Sequence, residues 1–337
     1  MDLSIGTPVD PVPEPVRAAL TDAANAPGYP TAQGTQRLRE VAAGWLARRH
    51  SVSADPSAVL PLIGSKEFIA ALPTMLGCGP GDTVVHPELA YPTYAIGAQL
   101  AGATAMAADG LAALGPVRVT LVWVNSPANP TGRVLPVAHL RKMVDWARER
   151  GAVIAADECY LDLGWDAEPV SILHPEVCGD SARGLLAVHS LSKRSNMAGY
   201  RAGFVTGDPA LVAQLLEIRR HAGMMMPAPI QAAMAAALDD DAHAEDQRAR
   251  YAARRGRLRA ALAAAGWVTE HSEAGLYLWV ARPGLDCWGS VQLLAEAGIL
   301  VAPGEFYGPA GRQHVRVALT ATDERIDAAV ARLAAIA

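Results

Sequence analysis

Lysine is scarce in this chain: Lys66, Lys142 and Lys193 stand against a background rich in alanine and arginine. Lys142 falls in a polar and apolar alternation that reads as the solvated face of a helix, and Lys66 follows Ile63-Gly64-Ser65 at a strand-to-helix turn. Lys193 is set differently, in Val188-His189-Ser190-Leu191-Ser192-Lys193-Arg194-Ser195-Asn196-Met197-Ala198-Gly199-Tyr200-Arg201-Ala202-Gly203. There an apolar strand runs into a loop with Ser190 and Ser192 before the lysine and Arg201 after it. Phosphate needs hydrogen-bond donors and a cation, which Ser190, Ser192 and Arg201 supply; an amine-reactive aldehyde needs a lysine able to lose its proton. The set can hold both groups together, or be a polar loop with unrelated charges.

Four other runs carry polar groups at informative places. Val153-Ile154-Ala155-Ala156-Asp157-Glu158-Cys159-Tyr160 puts a carboxylate where an apolar strand ends, the edge at which open α/β sheets bind ligands; an aspartate capping the next element is the other reading. Val124-Asn125-Ser126-Pro127-Ala128-Asn129-Pro130-Thr131-Gly132 is a turn by composition. Gly64-Ser65-Lys66-Glu67 opens a helix whose backbone N–H groups suit an anion. In His314-Val315-Arg316-Val317-Ala318-Leu319 the alternation turns Arg316 away from Val315, Val317 and Leu319, which alone describes an exposed strand arginine.

The elements that must position these residues follow from the apolar pattern. From about residue 34 to 230, helical patterns alternate with short apolar runs, Val117 to Val124, Ala152 to Ala156 and Leu185 to Val188, which predicts an α/β domain with a mostly parallel, doubly covered sheet. Asp239 to Ala265 reads as one long helix leaving that domain. Gly275 to Val280 and His314 to Leu319 then read as strands and Asp323 to Ala337 as a closing helix, a smaller α+β domain. Pro8, Pro11, Pro13 and Pro15 favour an extended stretch from Gly6 to Pro15. The expected division is an N-terminal segment 1-30 packed with the small domain, a large domain 31-235 and a small domain 236-337.

With 337 residues, 51% of them apolar and 19% charged, the chain can bury a core large enough for two domains. A net charge of -5 with both signs interspersed offers no basic face to a nucleic acid. The first residues, Met1-Asp2-Leu3-Ser4-Ile5-Gly6, lack the basic and apolar regions of a signal peptide, and no apolar run approaches about 18 residues, so a cytoplasmic protein without a membrane span is expected. Cys78, Cys159, Cys178 and Cys287 form no CxxC pair and no histidines sit at zinc-ligand spacing, which predicts free thiols and no metal.

The run from Ser190 to Gly203 resembles the lysine signature of class I/II aminotransferases, pyridoxal-phosphate enzymes of fold type I. The resemblance implies a large domain with a mostly parallel sheet, a smaller α+β domain, and Lys193 as both covalent anchor and general acid/base. By the same similarity Asp157 pairs with the ring nitrogen, while Tyr160 and Asn129 hydrogen-bond the phenolic oxygen and Tyr91 of Glu88-Leu89-Ala90-Tyr91-Pro92 stacks on the ring. Ser65 and Lys66 through their backbone, Ser190, Ser192 and Arg201 hold the phosphate. Gly28-Tyr29-Pro30 is similar to the segment that reaches into a neighbouring subunit, so that Tyr29 serves the phosphate across a homodimer interface. Arg316, Asn129 and the backbone of Gly6 take the substrate α-carboxylate, and Arg194 is a candidate for a distal one.

Along nearly its full length the chain looks most like actinobacterial succinyldiaminopimelate aminotransferases, through Ile5-Gly6-Thr7-Pro8-Val9-Asp10-Pro11, Ser192-Lys193-Arg194-Ser195-Asn196, His221-Ala222-Gly223-Met224-Met225, Ser272-Glu273-Ala274-Gly275-Leu276-Tyr277-Leu278-Trp279 and Val301-Ala302-Pro303-Gly304-Glu305-Phe306-Tyr307-Gly308. This implies N-succinyl-LL-2,6-diaminopimelate as amino donor and 2-oxoglutarate as acceptor, in lysine and diaminopimelate biosynthesis. Another dicarboxylic amino acid, or a lyase or decarboxylase on the same fold, are the alternatives, since the ring stabilises several kinds of carbanion.

Overall fold

The computed structural model describes residues 1–110 and 114–336. Short apolar runs become the strands of a seven-stranded sheet: β1 Val59–Ile63, β2 Thr83–His86, β3 Thr104–Ala107, β4 Val119–Asn125, β5 Val153–Asp157, β6 Leu185–Ser190 and β7 Ala202–Gly207, in the order β1-β7-β6-β5-β4-β2-β3. All run parallel except β7, which is antiparallel to β1 and β6. The central strands β4, β5 and β6 are covered on both faces, which is why they are mainly apolar instead of alternating. On one face Val122, Val124, Ile154 and Ala156 pack with Leu140 and Val144 of the Val137–Arg150 helix. On the other, Leu121, Trp123, Ala155 and Leu186 pack with Phe68, Ile69 and Leu72 of the Ser65–Met75 helix.

A second, antiparallel sheet holds β8 Val268–Glu270, β9 Tyr277–Ala281, β10 Ala302–Pro303 and β11 His314–Ala318 in the order β10-β11-β9-β8. Its core joins Leu278, Val280, Val315 and Val317 to Tyr251, Leu258 and Leu262 of the Ala242–Ala264 helix and to Ile326 and Leu333 of the Asp323–Ala334 helix. The architecture is the expected α/β fold with a large sheet domain and a smaller one. Among the described residues no helix is long and apolar enough to cross a membrane.

Three local expectations are revised. The long helix expected over Asp239 to Ala265 is present as Ala242–Ala264, starting later because Asp239 ends a preceding Ala228–Asp239 helix, Asp240 takes an extended backbone and its carboxylate accepts from Ala242 N at 2.9 Å. Pro15 does not prolong the extended stretch; it lies in the first turn of a Glu14–Asp22 helix, where a proline has no N–H to lose. The closing helix ends at Ala334, and Ala337 lies outside the described residues. The N-terminal segment divides its packing: Leu3 bonds to Leu300 and Ala318 in the small domain, whereas Val16 enters the core of the large one.

Candidate active site

The sheet order brings the chemistry to one edge. Parallel β4, β5 and β6 end there side by side, with Asn125 opposite Asp157 and Asp157 opposite Val188, so Asp157 and, two residues beyond Val188, Ser190 emerge at the same edge. Because β7 is reversed, its first residues meet the last of β1 and β6, Ile63 beside Ala202 and Ser190 beside Gly203. This puts Arg201 next to Gly64 and the Ser190 loop. A cavity of about 400 Å³ opens over this edge, lined by Gly6, Ser65, Lys66, Tyr91, Asn129, Asp157, Tyr160, Ser190, Ser192, Lys193, Arg201 and Arg316, with Cys159 and Tyr277. Every sequence-derived site residue except Tyr29 and Arg194 is in it; Tyr29 stands 94% exposed on the surface.

Asp157 forms the polar floor. Burial pushes its carboxyl up from the usual aspartate value, against hydrogen bonds that favour the charged form, from Cys159 N–H at 3.2 Å and the Tyr94 hydroxyl at 2.8 Å. Tyr94 is itself fully buried and stacked on Trp123, ring centres 5.0 Å apart. Sequence reasoning passed over it, although its spacing from Tyr91 places both on one side of a helical turn; their rings meet edge to face at 6.0 Å. Tyr160 hydroxyl lies 3.2 Å from that of Tyr277, and burial with this neighbour pushes it well up, so it stays a hydrogen-bond donor.

The anion cradle is built by close approach. Gly64 has φ +77°, and a Cβ there would stand 2.2 Å from Arg201 Nη2, so only glycine lets the guanidinium reach the helix start. That helix, Ser65–Met75, has no side-chain cap and leaves its first N–H groups facing the cavity edge. Ser190 Oγ accepts from Ser192 N at 3.2 Å, fixing the turn before Lys193, whose Nζ donates to Gly6 O at 2.7 Å.

Arg316 is buried, which removes the reading of an exposed strand arginine. Its Nη1 donates to Asn129 Oδ1 at 2.8 Å and its Nη2 to Ser4 O at 2.6 Å, while its guanidinium lies 3.9 Å from the ring centre of Tyr277 and 4.8 Å from that of Tyr307. Its Nε is buried without a hydrogen-bond partner among the described residues. Asn129 is pinned by its own N–H to Asn125 Oδ1 at 2.8 Å.

Arg194 is a correction. Its side chain turns away from the cavity into a buried pair with Asp162, Nε to Oδ2 2.6 Å, and donates to Ala237 O at 2.8 Å. It is committed to the fold and does not meet a substrate carboxylate. Lys66 instead extends its ammonium 5.8 Å above the Tyr91 ring centre, without a hydrogen-bond acceptor among the described residues.

These residues fit pyridoxal phosphate: a buried carboxylate with an unmet demand for a cation, a glycine-lined anion cradle with arginine, and an accessible lysine amine share one cavity. Comparison with known proteins agrees. Residues 1–333 match the family model for aminotransferase class I and II. A probable aminotransferase of Mycobacterium tuberculosis is 62% identical over 99% of this chain and 80% of its own length. The 4-dedimethylamino-4-oxo-anhydrotetracycline transaminase of Streptomyces rimosus is 61% identical over 99% of this chain and 92% of its own. The solved structure of a probable N-succinyldiaminopimelate aminotransferase from Thermus thermophilus superposes with a TM-score of 0.89 at 30% identity, covering 100% of this chain and 95% of that one.

Proposed function

The chain belongs to the class I and II aminotransferases, pyridoxal-phosphate-dependent enzymes of fold type I, and from that premise we propose that it transfers the amino group of N-succinyl-LL-2,6-diaminopimelate to 2-oxoglutarate in the cytoplasm. The observation that carries a dicarboxylic substrate is the pair of cations lining one cavity: Arg316, and Lys66, whose ammonium has no hydrogen-bond acceptor among the described residues. The Thermus thermophilus structure and the resemblance of the Ile5–Pro11 and Ser272–Trp279 segments support the named donor.

Bound in the cavity, pyridoxal phosphate supplies an aldehyde for the substrate amine and a cationic ring that draws electrons from the α-carbon. In our reading Asp157 faces the ring nitrogen, Tyr160 and Asn129 donate to the phenolic oxygen, and Tyr91 covers a ring face. Ser65, Lys66 through its backbone, Ser190, Ser192 and Arg201 hold the phosphate, joined by Tyr29 of a neighbouring copy in a homodimer. Arg316, Asn129 and the Gly6 backbone fix the α-carboxylate, and so the direction of the Cα–H bond. Lys193 Nζ takes the proton from that carbon and returns it later in the transfer.

The test is the visible spectrum of the loaded enzyme. N-succinyl-LL-2,6-diaminopimelate is expected to bleach the band that Lys193 gives with the cofactor, 2-oxoglutarate to restore it, and Lys193→Ala to do neither. Lys66→Ala should raise KM for this donor about tenfold and leave that of a monocarboxylic amino acid unchanged. A band indifferent to the succinylated donor would discard the substrate while leaving the family in place. The 61% identical Streptomyces rimosus transaminase favours a second reading, in which the amino acceptor is a ketone on a polycyclic ring. Amino transfer to such a ketone, with no response to succinylated donor, would decide for it.

A further inference from the structure

The loop that carries Asn129 is held from the far domain. Within the loop, Gly132 N donates to Ala128 O at 2.7 Å, Ala128 N to Arg133 O at 3.0 Å and Leu135 N to Ser126 Oγ at 3.0 Å. Val134 N–H is met from outside, by Glu273 Oε2 at 2.8 Å. On either side of Glu273, Ser272 N donates to Thr131 O at 2.8 Å and Ala274 N to Gly132 O at 3.0 Å. The contact is close enough that a Cβ on Gly132 would stand 2.5 Å from Ala274 O.

Glu273 also reaches a second cofactor-side segment. Its carbonyl accepts from both Trp165 N and Asp166 N at 2.9 Å, in the stretch that follows Tyr160. The chain enters it through His271 and Ser272, both with positive φ, +50° and +61°, and Ser272 Oγ fixes the second of these by accepting from Trp279 N at 2.9 Å. Non-glycine residues hold such a backbone only where their surroundings demand it. Here the demand is a carboxylate aimed across the domain boundary, four residues ahead of Tyr277, against whose ring Arg316 rests.

We propose that Glu273 is a positioning residue for the α-carboxylate site: by holding Val134 N–H it sets where Asn129 meets Arg316. The inference rests on the reading that Asn129 and Arg316 bind that carboxylate. Amino donor and oxo acceptor share the α-carboxylate, so a loosened loop should affect both alike. What matters is the place of the acceptor oxygen, not its charge.

Two exchanges separate those properties. Glu273→Gln loses the charge and keeps an oxygen at the same reach; Glu273→Asp keeps the charge and withdraws the oxygen by one methylene. Steady-state kinetics of the cofactor-loaded enzymes should show Glu273→Asp and Glu273→Ala raising KM for donor and acceptor by a common factor, on the order of tenfold, with kcat and cofactor absorbance near wild type. Glu273→Gln should stay within about twofold of wild type in both KM values. The reverse order, with aspartate sound and glutamine impaired, would overturn the proposal, as would unchanged KM in all three. Loss of KM, kcat and thermal stability together in every variant, glutamine included, would reduce Glu273 to a fold residue and overturn it as well. Asn129→Ala and Arg316→Lys, measured alongside, guard the premise: if they leave both KM values unchanged, the carboxylate reading itself fails, independently of Glu273.

Discussion

Two buried carboxyl groups sit one residue apart at the end of β5, and their surroundings give them opposite tasks. Asp157 has donors, Cys159 N–H and Tyr94 OH, and faces the cavity. Glu158 points the other way: its Oε1 accepts from Ile172 N at 2.6 Å and Ser171 Oγ at 3.1 Å, while its Oε2 has no hydrogen bond and lies 3.7 Å from His189 Nε2. Tyr94→Phe removes a donor from a buried carboxylate and should cost about 1–3 kcal/mol of unfolding free energy. It should also weaken cofactor retention, read by dialysis against buffer and residual absorbance. Burial pushes Glu158 up to about 8 and His189 down to about 3, so both are neutral near pH 7 and the close approach is no ion pair. A carboxyl whose value rises on folding stabilises fully below its unfolded value of 4.5, and that stability drains away as pH climbs toward about 8. Glu158→Gln, which keeps an acceptor and cannot ionise, should therefore gain over wild type in urea midpoint as pH rises from about 4.5 to about 8. His189 titrates in both proteins and cancels. A difference that does not change with pH would refute the assignment.

At the scale of elements, the sequence showed what repeats and hid what depends on distant partners. Continuous apolar runs located β4, β5 and β6 to within a few residues, because a strand buried on both faces leaves no polar position to blur the signal. The reversal of β7 could not be read from Ala202–Gly207, since direction is set by pairing with β1 and β6. The start of the long helix is moved in the same way: pattern put it at Asp239, but Asp239 closes the preceding helix, Asp240 is extended and the helix begins at Ala242. Gly64 joins both lessons: its place before a helix was legible, its contact with Arg201 was not. Gly64→Ala should strain the φ +77° backbone by about 1–3 kcal/mol and displace the guanidinium. Titration of the apoenzyme should then show pyridoxal phosphate bound about tenfold or more weakly. Gly81→Ala, at φ +93° with open space around it, supplies the control with strain and no clash; equal losses of cofactor affinity in both variants would refute the cradle.

At the scale of the molecule, the site draws on parts far apart in the chain. Residues 4–7 cross from the small sheet to the cavity, Ser4 O taking Arg316 and Gly6 O taking Lys193, and a Cβ on Gly6 would stand 2.0 Å from the Tyr277 hydroxyl. Such contacts were legible only as family resemblance, because no local pattern in Ile5-Gly6-Thr7-Pro8 specifies an acceptor for a lysine in β6's following turn. Tyr29 extends the argument beyond one chain. In the proposed homodimer Tyr29, 94% exposed and outside the cavity lining of its own chain, serves the phosphate of the second copy. Shared sites in a twofold dimer make a distinctive arithmetic. A hybrid of Lys193→Ala and Tyr29→Ala subunits has one site carrying both changes and one carrying neither. Dissociated, mixed in equal amounts and reassociated, the two variants should regain about a quarter of wild-type activity, assayed at cofactor too dilute to fill Tyr29→Ala sites. If Tyr29 instead serves the site of its own chain, each hybrid site retains one defect and mixing restores nothing, which would move the phosphate contact back within the subunit.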